Sequence, residues 1–181
     1  MRELHLKDDQ YPFVETTHHR PVARGIVLDE QGNVALHHIY RNDIFCDQWY
    51  YETPGGGVDE GETFEQALCR ECEEELGYEV EIVCPLLAVH DFYNLIGREN
   101  ENRYFLARRT KKVGVHFASS GDSFIQETLY VPIDEAIALM EGQEDRLVSL
   151  LVKRRELPVL REAKEVLSRM GEFSNSSPGI I

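Results

Sequence analysis

Apolar residues recur along the chain at two periods, and the two periods mark out its elements. From Val22 the run Val-Ala-Arg-Gly-Ile-Val-Leu, the turn-forming Asp29-Glu30-Gln31-Gly32-Asn33 and then Val34-Ala35-Leu36-His37-His38-Ile39-Tyr40 predict a β-hairpin. Residues 49–53 are short and aromatic and halt at Pro54-Gly55-Gly56-Gly57, a strand feeding a loop. Residues 63–76 have few breakers, open on Thr63-x-x-Gln66 in the form of a capping box and close at Gly77, so they predict a helix. Strand is predicted over 78–83, 86–89, 103–107 and 124–131. Helix is predicted over 133–140, which carries Asp134 and Glu135 in its first turn. Residues 144–170 are helix-rich, and Pro158 is expected to split or kink them. Residues 1–20 lack clean periodicity and read as an N-terminal arm or edge strand. The polar stretch 93–102 reads as a substrate-facing insertion or a solvated connection, and 174–181 as a loose tail.

Strands and helices alternate without strict βαβ spacing, and the early hairpin argues for an α/β fold with a mixed sheet covered by helices. A length of 181 residues suits one domain with appended structure, here 21–142 with a C-terminal helical extension and tail over 143–181. Nineteen basic against thirty-three acidic residues give a net charge of −14, which repels a phosphate backbone and disfavours nucleic-acid binding. Charges every few residues at the N-terminus leave no secretory signal, and no apolar run approaches the length of about 18 that spans a bilayer. A soluble, cytoplasmic protein is expected, with no membrane partner. Cys46, Cys69, Cys72 and Cys84 are too few and too irregular for a disulfide framework.

The candidate chemistry lies on the helix at 63–76. With about 100° per residue, Glu71, Glu74 and Glu75 share one face, while Glu73 points away. Phe64, Leu68, Cys72 and Leu76 form a neighbouring apolar stripe suited to packing on the sheet. Like-charge pairs at this spacing lose only about 0.2–0.5 kcal/mol when exposed. Beside a core, at about 6 Å and an effective dielectric near 20, each pair repels by about 3 kcal/mol. Such a cluster calls for a counter-cation or a shared proton, and Mg²⁺ or Mn²⁺ suits oxygen ligands. A solvated acidic face is the alternative.

Gly56, five residues, Glu62, seven residues and then Arg70-Glu71-Cys72-Glu73-Glu74-Glu75-Leu76-Gly77-Tyr78 resembles the box of the Nudix hydrolase family. That box reads Gly-x5-Glu-x7-Arg-Glu-U-x-Glu-Glu-x-Gly-U, with U a bulky apolar residue. All fixed residue types stand at the fixed spacings; Cys72 is small for its U position and Tyr78 aromatic. The likeness extends more weakly from about Val22 to Met140.

The resemblance implies an α-β-α sandwich and hydrolysis of a nucleoside diphosphate linked to another moiety, with Mg²⁺ or Mn²⁺. It implies that Glu71, Glu74 and Glu75, with the carbonyl of Gly56, hold the metal, and leaves unassigned which glutamate would serve as base. Arg70 and Glu62 would form an ion pair that orients them, and Gly57 belongs to a glycine run open to close substrate approach. A fourth acid from outside the box is common in the family: Glu127 is the candidate, with Glu99 and Glu101 as rivals. Phe92 and Tyr93 are candidates to stack a base or to sit in the core. Arg98, Arg103, Arg108 and Arg109 are available to phosphates, none selected by spacing. Cys69 and Cys72 read as small apolar residues, and the pairs His18-His19 and His37-His38 as scattered surface or core histidines. A nucleotide-binding sensor and an isoprenoid diphosphate isomerase of the same fold are the alternative functions. The C-terminal helices suit either a homodimer contact or an intramolecular cap.

Overall fold

The capping box forms as the sequence implies: the Thr63 hydroxyl accepts the Gln66 N–H, and the Gln66 side chain accepts the Thr63 N–H. It starts helix α1 (Phe64–Leu76), which ends on Gly77 at φ 72°. A Cβ there would meet the Val115 backbone nitrogen at 2.6 Å, so glycine is required by both conformation and space.

The computed structural model describes residues 1–118 and 121–175, the last four as backbone. Its strands are β1 (Arg2–His5), β2 (His18–Leu28), β3 (Val34–Asn42), β4 (Asp47–Glu52), β5 (Gly55–Gly57), β6 (Tyr78–Tyr93), β7 (Arg98–Lys112) and β8 (Ile125–Val131). Helices α2 (Ile133–Gly142) and α3 (Leu147–Asn175) follow. The sheet order is β1-β6-β7-β2-β3-β4, with β5 added to β2 and β8 to β3. β1 and β7 run parallel to their partners β6 and β2, while the other pairings are antiparallel, so the sheet is mixed.

Both faces of the sheet are covered, which explains the near-continuous apolar run of β2. Ala23 and Val27, with Phe105 and Ala107 of β7, pack on Leu68, Cys72 and Leu76 of α1. Ile26 and Leu28, with Tyr104 and Leu106, pack in a larger core that includes Met140 of α2 and Val148, Val152, Val159 and Leu160 of α3. The molecule is an α-β-α sandwich.

Four expectations need correction. The hairpin turn is present, but β2 and β3 are bonded only at Leu28↔Val34 and then diverge. The edges of β2 are taken by β7 and β5, and those of β3 by β4 and β8. The strands expected at 78–83 and 86–89 are one strand, β6, which passes Pro85 through register irregularities instead of ending there. The stretch 93–102 is no loop: only Asn94–Gly97 turns, and β7 starts at Arg98. α3 runs unbroken through Pro158, held by burial of Val152, Val159 and Leu160 on both sides of it. The arm forms edge strand β1, while His18–Arg20 already belong to β2. The expected tail lies outside the described residues from 176 onward.

Candidate active site

Divergence of β2 from β3 opens a cleft of about 490 Å³. Its walls come from the cleft-facing residues of β2, β3 and β4, the glycines of β5, the acidic face of α1, Tyr93, Asn100 and Asn102, and Arg155 of α3.

Arg70 ties the glycine loop to the helix. Its Nε and Nη2 donate to the Glu62 carboxylate at 3.0 and 3.1 Å, Nη2 also reaches the Gly57 carbonyl at 2.8 Å, and Nη1 reaches Glu71 at 2.9 Å. Glu62 in turn accepts the Asp59 N–H, and its partner Arg70 holds its carboxyl below the usual range. Gly56 lies against Glu71 so closely that a Cβ would fall 2.4 Å from Oε1.

Glu71, Glu74 and Glu75 are buried, as the helical projection predicts, and Glu73 is not. Glu75 accepts the Gly55 N–H at 2.8 Å and faces Nε2 of His37 at 3.1 Å. The other ring nitrogen of His37 lies 2.9 Å from the Thr128 hydroxyl. Carboxylate oxygens of Glu71, Glu75 and Asp122 lie within 4.8 Å of one another. Burial, then the charge of Glu75, pushes the Glu71 carboxyl up to about 7. Hard oxygen donors converging on a partly desolvated point, with Gly56 leaving room beside them, fit a divalent Mg²⁺ or Mn²⁺ ion.

The structure places the remaining candidates as follows. Gly56, Gly57 and Tyr93 line the cleft, and the Tyr93 hydroxyl lies 3.3 Å from Arg155. Phe92 is outside the cleft lining, since neighbours on a strand face opposite ways. Glu127 is exposed and bonds His38 at 3.1 Å, outside the cleft; Asp122, in the turn before β8, is the acid that reaches the glutamates instead. Glu99 pairs with His19 and Glu101 with Arg103. Arg98 enters the cleft, whereas Arg103 stacks over Phe64, Arg109 pairs with Glu30 and Arg108 is exposed. Cys69 and Cys72 are free, with Cys72 fully buried in the core.

Sequence reasoning missed the cleft floor. Arg24 pairs with Glu52 at 2.6 Å, and Arg155 reaches Glu52 at 2.6 Å and Asp91 at 3.3 Å. Burial raises Glu52, yet Arg24 and Arg155 hold its carboxyl below the usual range; Glu156 beside it is pushed up by burial. Asn100 and Asn102 both donate to Asp91. These groups come from distant segments, and only the charged residues inside apolar strand patterns hinted at them.

The family model described as NUDIX domain matches residues 18–156. Over 142 residues the chain is 32% identical to the CMP-5'-(N-acetyl-N-hydroxy-3-aminopropyl)phosphonate hydrolase of Streptomyces rubellomurinus, covering 76% of this chain and 66% of that protein. Over 56 residues it is 48% identical to the 8-oxo-dGTP diphosphatase of Haemophilus influenzae, covering 31% of this chain and 40% of that one. The chain spans 66% or less of the curated relatives it matches. The solution structure of the E. coli ORF135 protein aligns with a TM-score of 0.61 at 19% identity, covering 84% of this chain and 93% of that one, a likeness of fold. No helix among the described residues is long and apolar enough to cross a membrane.

Proposed function

The chain belongs to the Nudix hydrolase family, and from that membership we propose that it is a cytoplasmic, divalent-metal-dependent pyrophosphohydrolase acting on a nucleoside diphosphate joined to another moiety. The observation that carries this reading is the meeting of Glu71, Glu75 and Asp122 oxygens within 4.8 Å at the cleft wall. Those three, with Glu74 and the Gly56 carbonyl, would hold Mg²⁺ or Mn²⁺. Bound there, the ion supplies charge neutralisation for the diphosphate and lowers the pKa of a ligated water.

The protein's own groups prepare that site. Arg70 fixes Glu71 relative to the glycine loop, and His37 with the Gly55 N–H fixes the Glu75 carboxylate. Hydrolysis adds one water across the P–O–P link: a new P–O bond forms as the bridging bond breaks, and the two products each end in a phosphate. The glutamates, with one kept ionised, accept the water's proton directly or through another water.

Incubation of the purified protein with a panel of nucleoside diphosphate derivatives and an isoprenoid diphosphate, with Mg²⁺ or Mn²⁺, tests the reading. Phosphate-terminated products are expected. Tight nucleotide binding without turnover would favour a sensor, and rearranged isoprenoid diphosphate without phosphate release an isomerase.

A further inference from the structure

Six arginines line the cleft: Arg20, Arg24, Arg41, Arg70, Arg98 and Arg155. Four are matched by carboxylates, Arg24 and Arg155 on Glu52, Arg41 on Asp43 and Arg70 on Glu62. Arg20 and Arg98 are not. Among the described residues neither has an ion-pair partner or a hydrogen-bond acceptor, and the Arg98 Nε is buried without one. In a chain with fourteen surplus negative charges, carboxylates are abundant, so two unmatched cations in one cleft are not a shortage of partners.

Topology sets them together. β2 and β7 run parallel with Arg20 opposite Asn100, and Arg98 lies two residues before Asn100. Residues two apart on a strand face the same way, so all three project from one side of the sheet, the cleft side. The Arg20 guanidinium lies over Gly57, where a Cβ would come within 3.4 Å of Nη2. That puts Arg20 beside the loop that carries Gly56. Arg98 stands further along, 5.1 Å from the Tyr93 ring centre. Asn100 is only 2% exposed; its amide nitrogen donates to Asp91, while its Oδ1 is buried with no partner. Burial, then the charges of Arg98 and Arg24, pulls Arg20 below the usual guanidinium range, and burial pulls Arg98 down too. Glu52 and Glu71 offset this at Arg20, and Tyr93 and Asp91 at Arg98, only in part, so both guanidiniums stand desolvated with no carboxylate in direct contact.

Resting on the pyrophosphohydrolase reading of the cleft, we propose that Arg20 and Arg98 seat a third anionic group of the substrate, beyond the diphosphate at Glu71 and Glu75. The substrate class is a nucleoside diphosphate derivative whose other moiety carries a phosphate, phosphonate or carboxylate. Planar guanidiniums take such oxyanions bidentately. Asn100 Oδ1 offers an acceptor for a hydroxyl or amide beside that group.

The test uses matched substrates that differ by one anion: UDP-glucose against UDP-glucuronate, and nucleoside diphosphates against their triphosphates. In the wild type, kcat/KM is expected to favour the member with the extra anion by 10- to 100-fold, the worth of one charge-assisted contact. In Arg20→Gln and Arg98→Gln that ratio should fall toward one. Equal rates within both wild-type pairs, or a ratio untouched in both variants, overturns the assignment while leaving the hydrolase reading intact. A second readout needs no turnover. With EDTA present, inorganic phosphate should raise the melting temperature of the wild type and lose that effect in Arg20→Gln and Arg98→Gln. A wild type that does not respond to phosphate, or variants that respond equally, overturns the proposal even if no substrate of the panel is hydrolysed.

Discussion

The carboxylate of Glu156 on α3 accepts the backbone N–H of Thr53 at 2.7 Å, across 103 residues of sequence. Its other oxygen lies 3.2 Å from the Tyr104 hydroxyl and 3.1 Å from the Arg155 guanidinium. A helix near the C-terminus therefore fixes the chain just ahead of Gly55 and Gly56, where the metal-holding loop begins. Glu156→Ala would leave a buried N–H and a buried hydroxyl without an acceptor and Arg155 short of one partner. A loss of about 3–5 kcal/mol of stability is expected. Glu156→Gln keeps an oxygen on Thr53 but turns an amide NH2 toward Tyr104 and the Arg155 guanidinium, which loses an acceptor there. It should cost about 1.5–3 kcal/mol, less than the alanine variant. Urea unfolding midpoints of the three proteins decide this, and equal midpoints for Ala and Gln would refute the positioning role.

Glu71 predicts a pH dependence. Its carboxyl titrates at about 7 in the folded protein against 4.5 when unfolded, so the folded state holds the proton more tightly. As pH rises from 4.5, the unfolded chain ionises first and gains relative to the native state. The loss accumulates to about 3 kcal/mol and levels off above pH 7. In EDTA, wild-type stability should therefore fall between pH 5 and 8 more steeply than that of Glu71→Gln. Adding Mn²⁺ at pH 8 should restore it, since the cation offsets the charge that ionised Glu71 adds beside Glu75. Parallel wild-type and Glu71→Gln curves in EDTA would show that the crowding is not felt.

Helix α1 and its acidic face were legible because both rest on local rules: a capping box, a closing glycine, and a 3.6-residue period that sorts Glu71, Glu74 and Glu75 from Glu73. The spacing of Gly56, Glu62 and Arg70 was legible as a motif, and the contacts among them follow it. The cleft floor was not. Arg24, Glu52, Asp91 and Arg155 read individually as charges in strands or on a helix, and only the order of the sheet brings them together. His37 and His38 face opposite ways, as neighbours on a strand do, but that the inward one meets Glu75 across the sheet is encoded by no local pattern.

Removing one carboxylate charge measures the metal-holding role of Glu75. Glu75→Gln is expected to lower turnover by about 10³-fold, the effect of losing several kcal/mol of stabilisation of the bound ion. His37→Asn removes the group opposite Glu75 Oε2 without touching the carboxylates, and should weaken Mn²⁺ binding by about 10- to 100-fold. Electron paramagnetic resonance titration of Mn²⁺ separates the two effects from folding defects. Wild-type affinity in His37→Asn would remove histidine from the account, and wild-type rates in Glu75→Gln would remove Glu75.

Asp122 and Glu127 lie five residues apart but belong to opposite surroundings. Asp122 is 3% exposed, accepts the Ala118 N–H at 2.9 Å and brings an oxygen to the Glu71–Glu75 pair. Glu127 sits on the outer face of β8, where its side chain is 57% exposed and bonds His38. A carboxylate held near two others acts on a shared cation through short, weakly screened distances, whereas the field of an exposed one is weakened by the high dielectric of water and screened by salt beyond about 10 Å. Asp122→Asn should therefore reduce turnover by about 10- to 100-fold and raise the Mn²⁺ concentration needed for half-maximal rate, as loss of an acidic neighbour to the ion demands. Glu127→Gln should match the wild type in both measurements. A larger defect in Glu127→Gln than in Asp122→Asn would mean that β8 turns its other face to the metal, and that the acid completing the site comes from the strand and not from the turn before it.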